Sequence, residues 1–590
     1  MAAPRIIVIG GGLAGLSAVI KIAEAGGTVD LFSIVPVKRS HSVCAQGGIN
    51  AAKNLKGEGD TTYKHFDDSI YGGDFLANQT PVKLMCEAAP AIIDLLDRMG
   101  VPFNRTPEGL LDFRRFGGTL YNRTAFAGAT TGQQLLYALD EQVRRYESEG
   151  KVKKYEGWEF LSAVIDSKGV ARGITALDLR TMELRSFPAG AVLLATGGIG
   201  AIFGKSTNSV VCTGSAQSAV FQQGVTYDNG EFIQVHPTCI PGEDKLRLMS
   251  ESARGEGGRV WVPRTAGDKR LGRQIPEAER FYFLEEWYPK YGNLVPRDIA
   301  TRAIHKVVYE EGLGLDGQPM VYLDLTHIDR ATLDRKLGGI LDIYEKFVGD
   351  DPHEVPMKIF PGMHYTMGGV WVDFNQMTNI PGIYAIGECD YQYHGANRLG
   401  ANSLLSCIYA GFVAGPHALN YAKNLTAMEG DGGHAAEITR QAEINARLLK
   451  NEGEENPFKL WRELGDTMTK HATVIRYNKG LKQADEKIVE LLDRYKNVSL
   501  ADRSQWANTS FAFARQLKNM LELARVIAQG AMLRDESRGA HYKPDFPERN
   551  DEQFLKTTKA SYTDSGPRFE FEEVDTQFIQ PRRRSYDAAN

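Results

Sequence analysis

The sequence predicts an α/β fold: a Rossmann-like nucleotide-binding domain in two parts, an inserted α+β capping domain, a C-terminal helical domain and a polar tail. Three observations carry this reading. The chain opens with strand, glycine turn, helix and strand inside its first 35 residues. Two later apolar runs also end in glycine, at Ala195-Thr-Gly-Gly198 and at Pro381-Gly-Ile-Tyr-Ala-Ile-Gly387. Between them, over about 240–355, strongly apolar runs give way to charges and longer loops.

Taken in order, Arg5-Ile-Ile-Val-Ile is short, apolar and β-branched, so residues 6–9 read as a buried strand. Gly10-Gly-Gly12 forms the turn, residues 14–25 the helix and 28–32 the second strand. Apolar periodicity over 82–99 predicts a helix closed by Gly100. Strand-like segments fill 152–195. A glycine-rich boundary, Ala427-Met-Glu-Gly-Asp-Gly-Gly433, precedes a helical region over 434–530. There Leu517, Met520, Leu521, Ala524, Ile527 and Ala528 recur at helix spacing, and Gly530 offers a stop. Such a stripe serves either packing onto the parent domain or a coiled-coil seam. The polar end of the chain carries Pro581-Arg-Arg-Arg584, which reads as a solvated surface tail rather than a nucleic-acid site.

A chain of 590 residues exceeds one core, since domains hold roughly 100–200 residues. The formal net charge of -5 argues against nucleic acid, whose phosphates select basic surfaces. The six cysteines are scattered without a CxxC pair, so neither an iron–sulfur cluster nor a zinc knot is encoded. No signal peptide is evident, and apolar runs such as Ala191-Val-Leu-Leu-Ala195 fall far short of the ~20 residues of a membrane span. A water-soluble polypeptide is expected.

Gly10, Gly12 and Gly15 fit GxGxxG between a strand and a helix, where glycines admit a pyrophosphate and the helix N-terminus offers free N–H groups. Alone, this is also compatible with an ordinary glycine turn. The acidic residue that usually closes the second strand is missing: Ser33 stands near its place, and Asp30 falls inside the strand. Glu388 is the candidate ribose acceptor instead. With Ala195-Thr196-Gly197 and Gly382–Glu388, three separated nucleotide-type turns mark a two-part FAD-binding flavoprotein. The expected units are residues 1–238 and 356–426 for the FAD-binding domain, 239–355 for the cap, 434–541 for the helical domain and 542–590 for the tail.

Arg39-Ser-His41-Ser-Val-Cys44-Ala-Gln-Gly-Gly48 resembles the segment that carries covalent flavin in the succinate dehydrogenase/fumarate reductase flavoprotein family. Read alone, His41 is a solvated loop residue; the resemblance implies that it bonds FAD covalently, which raises the flavin's potential. It also implies cofactor contacts at Ser403 and Leu404, and substrate contacts at Gln46 and Gly47.

A small dicarboxylate needs cations and charge-assisted hydrogen bonds at both ends, plus a group that moves a proton. Further segments resemble the family's in the same chain order. Phe113-Arg-Arg-Phe116-Gly-Gly118 implies packing of Phe116 on the substrate's carbons. Gln234-Val-His236-Pro-Thr238 and His364-Tyr-Thr-Met-Gly-Gly369 imply two carboxylate-binding histidines. Leu248-Met-Ser250-Glu251-Ser-Ala-Arg254-Gly-Glu-Gly-Gly258 departs from the family at Ser250, where threonine is common, but keeps the hydroxyl. Asn293-Leu-Val-Pro-Arg297 implies the acid–base arginine, with a relay through Glu251 and Arg254. Gly395-Ala-Asn-Arg398-Leu-Gly400 implies the main carboxylate-binding arginine.

The resemblance runs on through Glu536-Ser-Arg-Gly-Ala-His541 and so covers essentially the whole chain. It implies succinate/fumarate interconversion, an iron–sulfur partner subunit, a di-haem cytochrome b anchor, menaquinone, and a peripheral place on the cytoplasmic face of the membrane. L-aspartate oxidase, a soluble relative, is the alternative; it lacks the flavin-linking histidine, so His41 opposes it. A flavin-dependent RNA-modifying protein fits the first motif alone.

Overall fold

The computed structural model describes residues 4–240, 242, 245–426 and 430–586. Of the expected boundary at 427–433, residues 427–429 lie outside the described residues, as do the outermost ends of the first and last expected units.

The β-branched opening run forms β1 (Arg5–Ile9), at the centre of a five-stranded parallel sheet. Its neighbours are β2 (Thr28–Ser33) and the strand Ala191–Leu194; Val152–Glu156 and Ile383–Ala385 form the edges. The glycine-ended run at 381–387 therefore returns to the first sheet after the insertion, as expected. Helix α1 (Leu13–Glu24) packs on this sheet side by side with the helix Asn402–Lys423. Gly10, at φ +115°, lets β1 turn so tightly that a Cβ there would lie 2.1 Å from the Ala195 carbonyl oxygen.

Two long strands lead into and out of the inserted region. Ile233–Ile240 pairs antiparallel with Met357–Thr366, inside a six-stranded sheet that also holds Arg259–Pro263 and Val321–Asp324. Between these strands lie the helices Arg297–His305 and Arg330–Val348, packed on an apolar core of their own.

The helix expected over 82–99 spans Gln79–Arg98, starting earlier because the missing N–H of Pro81 falls in its first turn. Four helices fill residues 434–533: His434–Lys450, Pro457–His471, Asn478–Tyr495 and Thr509–Leu533. Asn456 caps the second, with Pro457 at its first position. The stripe from Leu517 to Ala528 is buried against the parent domain, not in a coiled-coil seam. Gly530 does not stop its helix. A Cβ there would lie 3.2 Å from Glu231 Oε2, so the glycine serves a close approach.

The tail departs from expectation as well. Lys556–Ser561 and Arg568–Glu573 form a hairpin on the sheet containing Tyr227–Asp228. The basic run is not uniformly solvated: the Arg584 side chain is only 8% exposed, because Asp298 and Asp74 neutralise it. Among the described residues no helix is long and apolar enough to cross a membrane.

Candidate active site

A cavity of about 440 Å³ runs from the ends of β1 and β2 to the strands that enter and leave the insertion. At one end lie Phe32, Ser33 and the segment Trp158–Phe160; next come Gly10–Leu13, then His41 to Gly48, and at the far end His236, Ser250, Glu251, Arg297, His364 and Arg398. Phe116, Ala195, Thr196, Gly197, Glu388, Ser403 and Leu404 line it too. Gly15 faces the turn: a Cβ there would lie 1.9 Å from the Gly10 carbonyl oxygen. Arg254 is set behind Glu251.

The dinucleotide end fits FAD. Gly12 brings no capping side chain to the α1 N-terminus; the Ser42 hydroxyl accepts the Leu13 N–H at 3.3 Å, and the positive helix end faces the place of a pyrophosphate. The helix Asn402–Lys423 also starts at the cavity, after Ala401 turns the chain at φ +62°. Asp30 is bonded to Arg5 at 3.0 Å within β2, whereas Ser33 and Glu388 reach the cavity. Burial lifts the Glu388 carboxyl to about 8, and it accepts the Thr366 N–H at 3.2 Å.

His41 is held by a loop whose part in the site was not foreseen. The Ser209 amide donates to Nδ1 at 3.1 Å, and Asn208 Nδ2 lies 3.3 Å from Nε2. Burial, with the Lys245 charge, lowers this imidazole to about 4, so it is neutral near pH 7. The same loop sets His364: the Thr207 hydroxyl lies 2.6 Å from Nδ1, and Asn208 donates to the His364 carbonyl at 2.9 Å. The signal available in the sequence was the polar run Ser206-Thr-Asn-Ser209 following Ala195-Thr-Gly-Gly198.

At the far end, the strand pairing sets His236 opposite Gly362, and the rings of His236 and His364 stand 4.9 Å apart. The Thr238 N–H donates to His236 Nδ1 at 3.2 Å, so in the neutral ring Nε2 carries the proton. That Nε2 is buried and without a partner. Burial and the nearby Arg297 charge hold both histidines well below their ordinary range. Each is therefore a neutral donor or acceptor.

The arginines form one bonded chain. Glu251 Oε1 accepts from Arg254 Nη2 at 2.9 Å, and Oε2 accepts from Arg297 Nε and Nη2 at 2.8 and 2.7 Å. Gln234 Oε1 accepts from Arg297 Nη1 at 2.9 Å and from Arg398 Nη2 at 3.0 Å. Gln234 thus sets the spacing of two cations, a role its quoted segment did not reveal. Burial pushes the Glu251 carboxyl up, but the charges of Arg297 and Arg254 outweigh this and hold it below its usual value. Arg398 stacks 4.3 Å from the Tyr365 ring, and its Nε has no partner. This chain of contacts holds three guanidiniums but a single carboxylate, which binds Arg254 and Arg297 and not Arg398, so two positive charges stay uncompensated in a buried pocket.

Phe116 packs on Gly47, where a Cβ would meet its ring at 2.7 Å, while Gly117 closes over Glu251. Arg114 Nη2 donates to the Gly47 carbonyl and, at 3.3 Å, to that of Gln46. The Gln46 side-chain oxygen is buried without a partner. The Ser250 hydroxyl lies 2.9 Å from that of Ser252 and borders the cavity.

Residues 5–404 match the family described as FAD binding domain, and 461–586 match fumarate reductase flavoprotein C-term. The succinate dehydrogenase flavoprotein subunit of Bacillus subtilis is 61% identical, over 99% of each chain. The chain belongs to the succinate dehydrogenase/fumarate reductase flavoprotein family. A mutant of Escherichia coli quinol fumarate reductase superposes with a TM-score of 0.91 at 32% identity, covering 100% of this chain and 99% of that one. A quinol-fumarate reductase solved with menaquinol molecules gives 0.90 at 31% identity, covering 99% and 100%. Family membership makes this chain an FAD-dependent oxidoreductase and decides against the aspartate oxidase alternative.

Proposed function

We propose that the pocket interconverts succinate and fumarate, with each residue in the role its position suits. The supporting observation is the pair of uncompensated positive charges beside neutral imidazole donors, which matches a small dianion. Arg398 pairs one carboxylate. His236 through its Nε2–H, His364 and Ser250 fasten the other, while Gln46 and Gly47 complete the wall and Phe116 covers the carbon chain.

Bound FAD supplies the acceptor and donor for the hydride that leaves or joins one methylene carbon. Arg297 handles the proton on the neighbouring carbon. As a guanidinium it is ready to donate in fumarate reduction. In succinate oxidation it accepts only if it has passed a proton on, and Glu251, bonded to both Arg297 and Arg254, is the path. Gly10, Gly12, Gly15, Ser33, Ala195, Thr196, Gly197, Glu388, Ser403 and Leu404 hold the cofactor. His41, neutral and lining the cavity beside them, is its covalent tether.

Electrons leave through an iron–sulfur subunit to a quinone at a cytochrome b anchor, which places the chain peripherally on the cytoplasmic face of the membrane. Similarity to quinol fumarate reductases supports the quinone-linked, multi-subunit part of this arrangement. The test is to purify the complex from membranes and compare succinate-to-dye with reduced-dye-to-fumarate rates, with malonate as competitor. A fluorescent polypeptide band after denaturation reports the tether, and His41→Ser is expected to remove that band while FAD stays bound. A complex indifferent to malonate sinks the dicarboxylate reading; an unmodified chain with no fluorescent band sinks the tether.

A further inference from the structure

Three consecutive arginines near the end of the described chain have three different surroundings. The Arg583 side chain is 85% exposed, with only Glu548 3.6 Å away. Arg582 Nη2 grips Asp67 at 2.8 and 2.7 Å. Arg584 is buried, and its Nη1 and Nη2 donate to Asp298 Oδ2 and Oδ1 at 3.0 and 3.3 Å. Burial works against the Arg584 charge, yet Asp298, Tyr586 and Asp74 more than offset it.

Asp298 is the residue after Arg297, in the first turn of the helix Arg297–His305, and its side chain is 1% exposed. Its Oδ1 also accepts from Asn397 Nδ2 at 3.1 Å, and Asn397 precedes Arg398. One buried carboxylate therefore joins the helix of Arg297, the loop of Arg398 and the C-terminal segment. The Arg584 guanidinium lies 5.2 Å from the Tyr586 ring, which is wedged between Tyr291 in the inserted region and Tyr71 outside it, at 5.2 and 5.7 Å. Tyr71 is further tied to the tail, donating to the Ser585 carbonyl at 3.2 Å and accepting its N–H at 2.7 Å. Without Arg584, Asp298 would keep Asn397 and an Arg302 nitrogen at 3.5 Å as its partners, a poor match for a buried charge.

We propose that Arg584, backed by Tyr586, is a positioning residue: through Asp298 it fixes the spacing of Arg297 and Arg398, latching the inserted region over the pocket. Arg584 touches no pocket surface, so its loss leaves the pocket's charges in place and loosens their geometry. The inference rests on the dicarboxylate reading of that pocket. Misplacement of a proton donor by about 1 Å costs on the order of 100-fold in turnover, while a ligand that needs no proton transfer is less sensitive.

The test uses the purified complex. Arg584→Gln is expected to lower kcat for fumarate reduction on the order of 10- to 100-fold per bound flavin, with malonate affinity changed by less than about threefold. Arg584→Lys is expected to restore most of the turnover, and Arg583→Gln to behave as the unmodified enzyme. Tyr586→Leu, which spares the ion pair, guards against a variant that fails to fold and is expected to lower kcat in the same direction by a smaller factor. Unchanged kcat in both Arg584→Gln and Tyr586→Leu overturns the proposal. So does a loss of activity matched by equal loss of bound flavin, which would mark a purely structural staple. Failure of the unmodified complex to bind malonate would instead refute the dicarboxylate reading, which the variant-to-parent ratios do not address.

Discussion

Two of the buried arginine clusters in this chain are arranged in opposite ways. Near the C-terminal helices, Arg534 binds Glu231 at 2.7 Å and Glu536 at 3.0 Å, and Arg538 binds Glu536 at 2.7 Å and Asp551 at 2.8 Å. Their remaining N–H groups go to the carbonyls of Phe554, Lys556 and Asp74 and to the Thr558 hydroxyl. Three carboxylates face these two guanidiniums, with Asp551 shared with Arg549, and both cations are fully partnered. In the pocket the ratio is reversed, with Arg254, Arg297 and Arg398 around Glu251 and with donors left over at His236 Nε2 and Arg398 Nε. A cluster that neutralises itself adds definition to the fold. A cluster that leaves charge and donors open waits for a ligand to complete it.

The strongest way to break this contrast is to remove the pocket's proton carrier. Arg297→Lys keeps a positive charge but not the forked contacts to Glu251 and Gln234. Turnover is expected to drop by about 10²- to 10⁴-fold, with fumarate still bound in a flavin difference spectrum. Near-normal rates would remove Arg297 from the chemistry. The paired cluster should respond in stability instead. Arg534→Met strands Glu231 and is expected to cost about 3–5 kcal/mol, read as a lower unfolding midpoint with unchanged kcat per folded flavoprotein. A kcat defect without destabilisation would show that the two clusters are not separate in function.

The smallest expected effect sharpens the comparison by pH. His236 and His364 lie well below their ordinary range in the free pocket, because burial and the arginine charges disfavour a second proton. A bound dianion works the other way and raises them, so binding takes up protons. Fumarate affinity is expected to tighten as pH falls from 8 to 6, by at most about tenfold per unit for each proton taken up. Calorimetry in two buffers of different ionisation enthalpy reads the uptake directly, and a flat profile means that the imidazoles stay neutral in the complex. The self-neutralised cluster has no ligand to couple to, so Arg534→Met should leave this slope unchanged.

Much of the site was legible because it rests on local segments. A glycine turn between a β-branched strand and a helix reports itself within a few residues, since backbone approach and helix dipole act over that distance. Ser206 to Ser209, which set His41 and His364, are polar loop residues with no period, and only the fold brings them to the two rings.

The sequence alone determined the opening strand, glycine turn, helix and strand, while the histidines and arginines for a dicarboxylate were legible through the family resemblance. The tertiary structure decided how those charges are shared. Gln234 bridges Arg297 and Arg398 across 63 and 164 residues, and Arg584 reaches Asp298 across 286. It also decided that Gly530 lies inside a helix beside Glu231 and that one arginine of a basic tail is buried. Local propensity acts over a few residues, whereas burial of a charge depends on which partner the fold sets within about 3 Å of it.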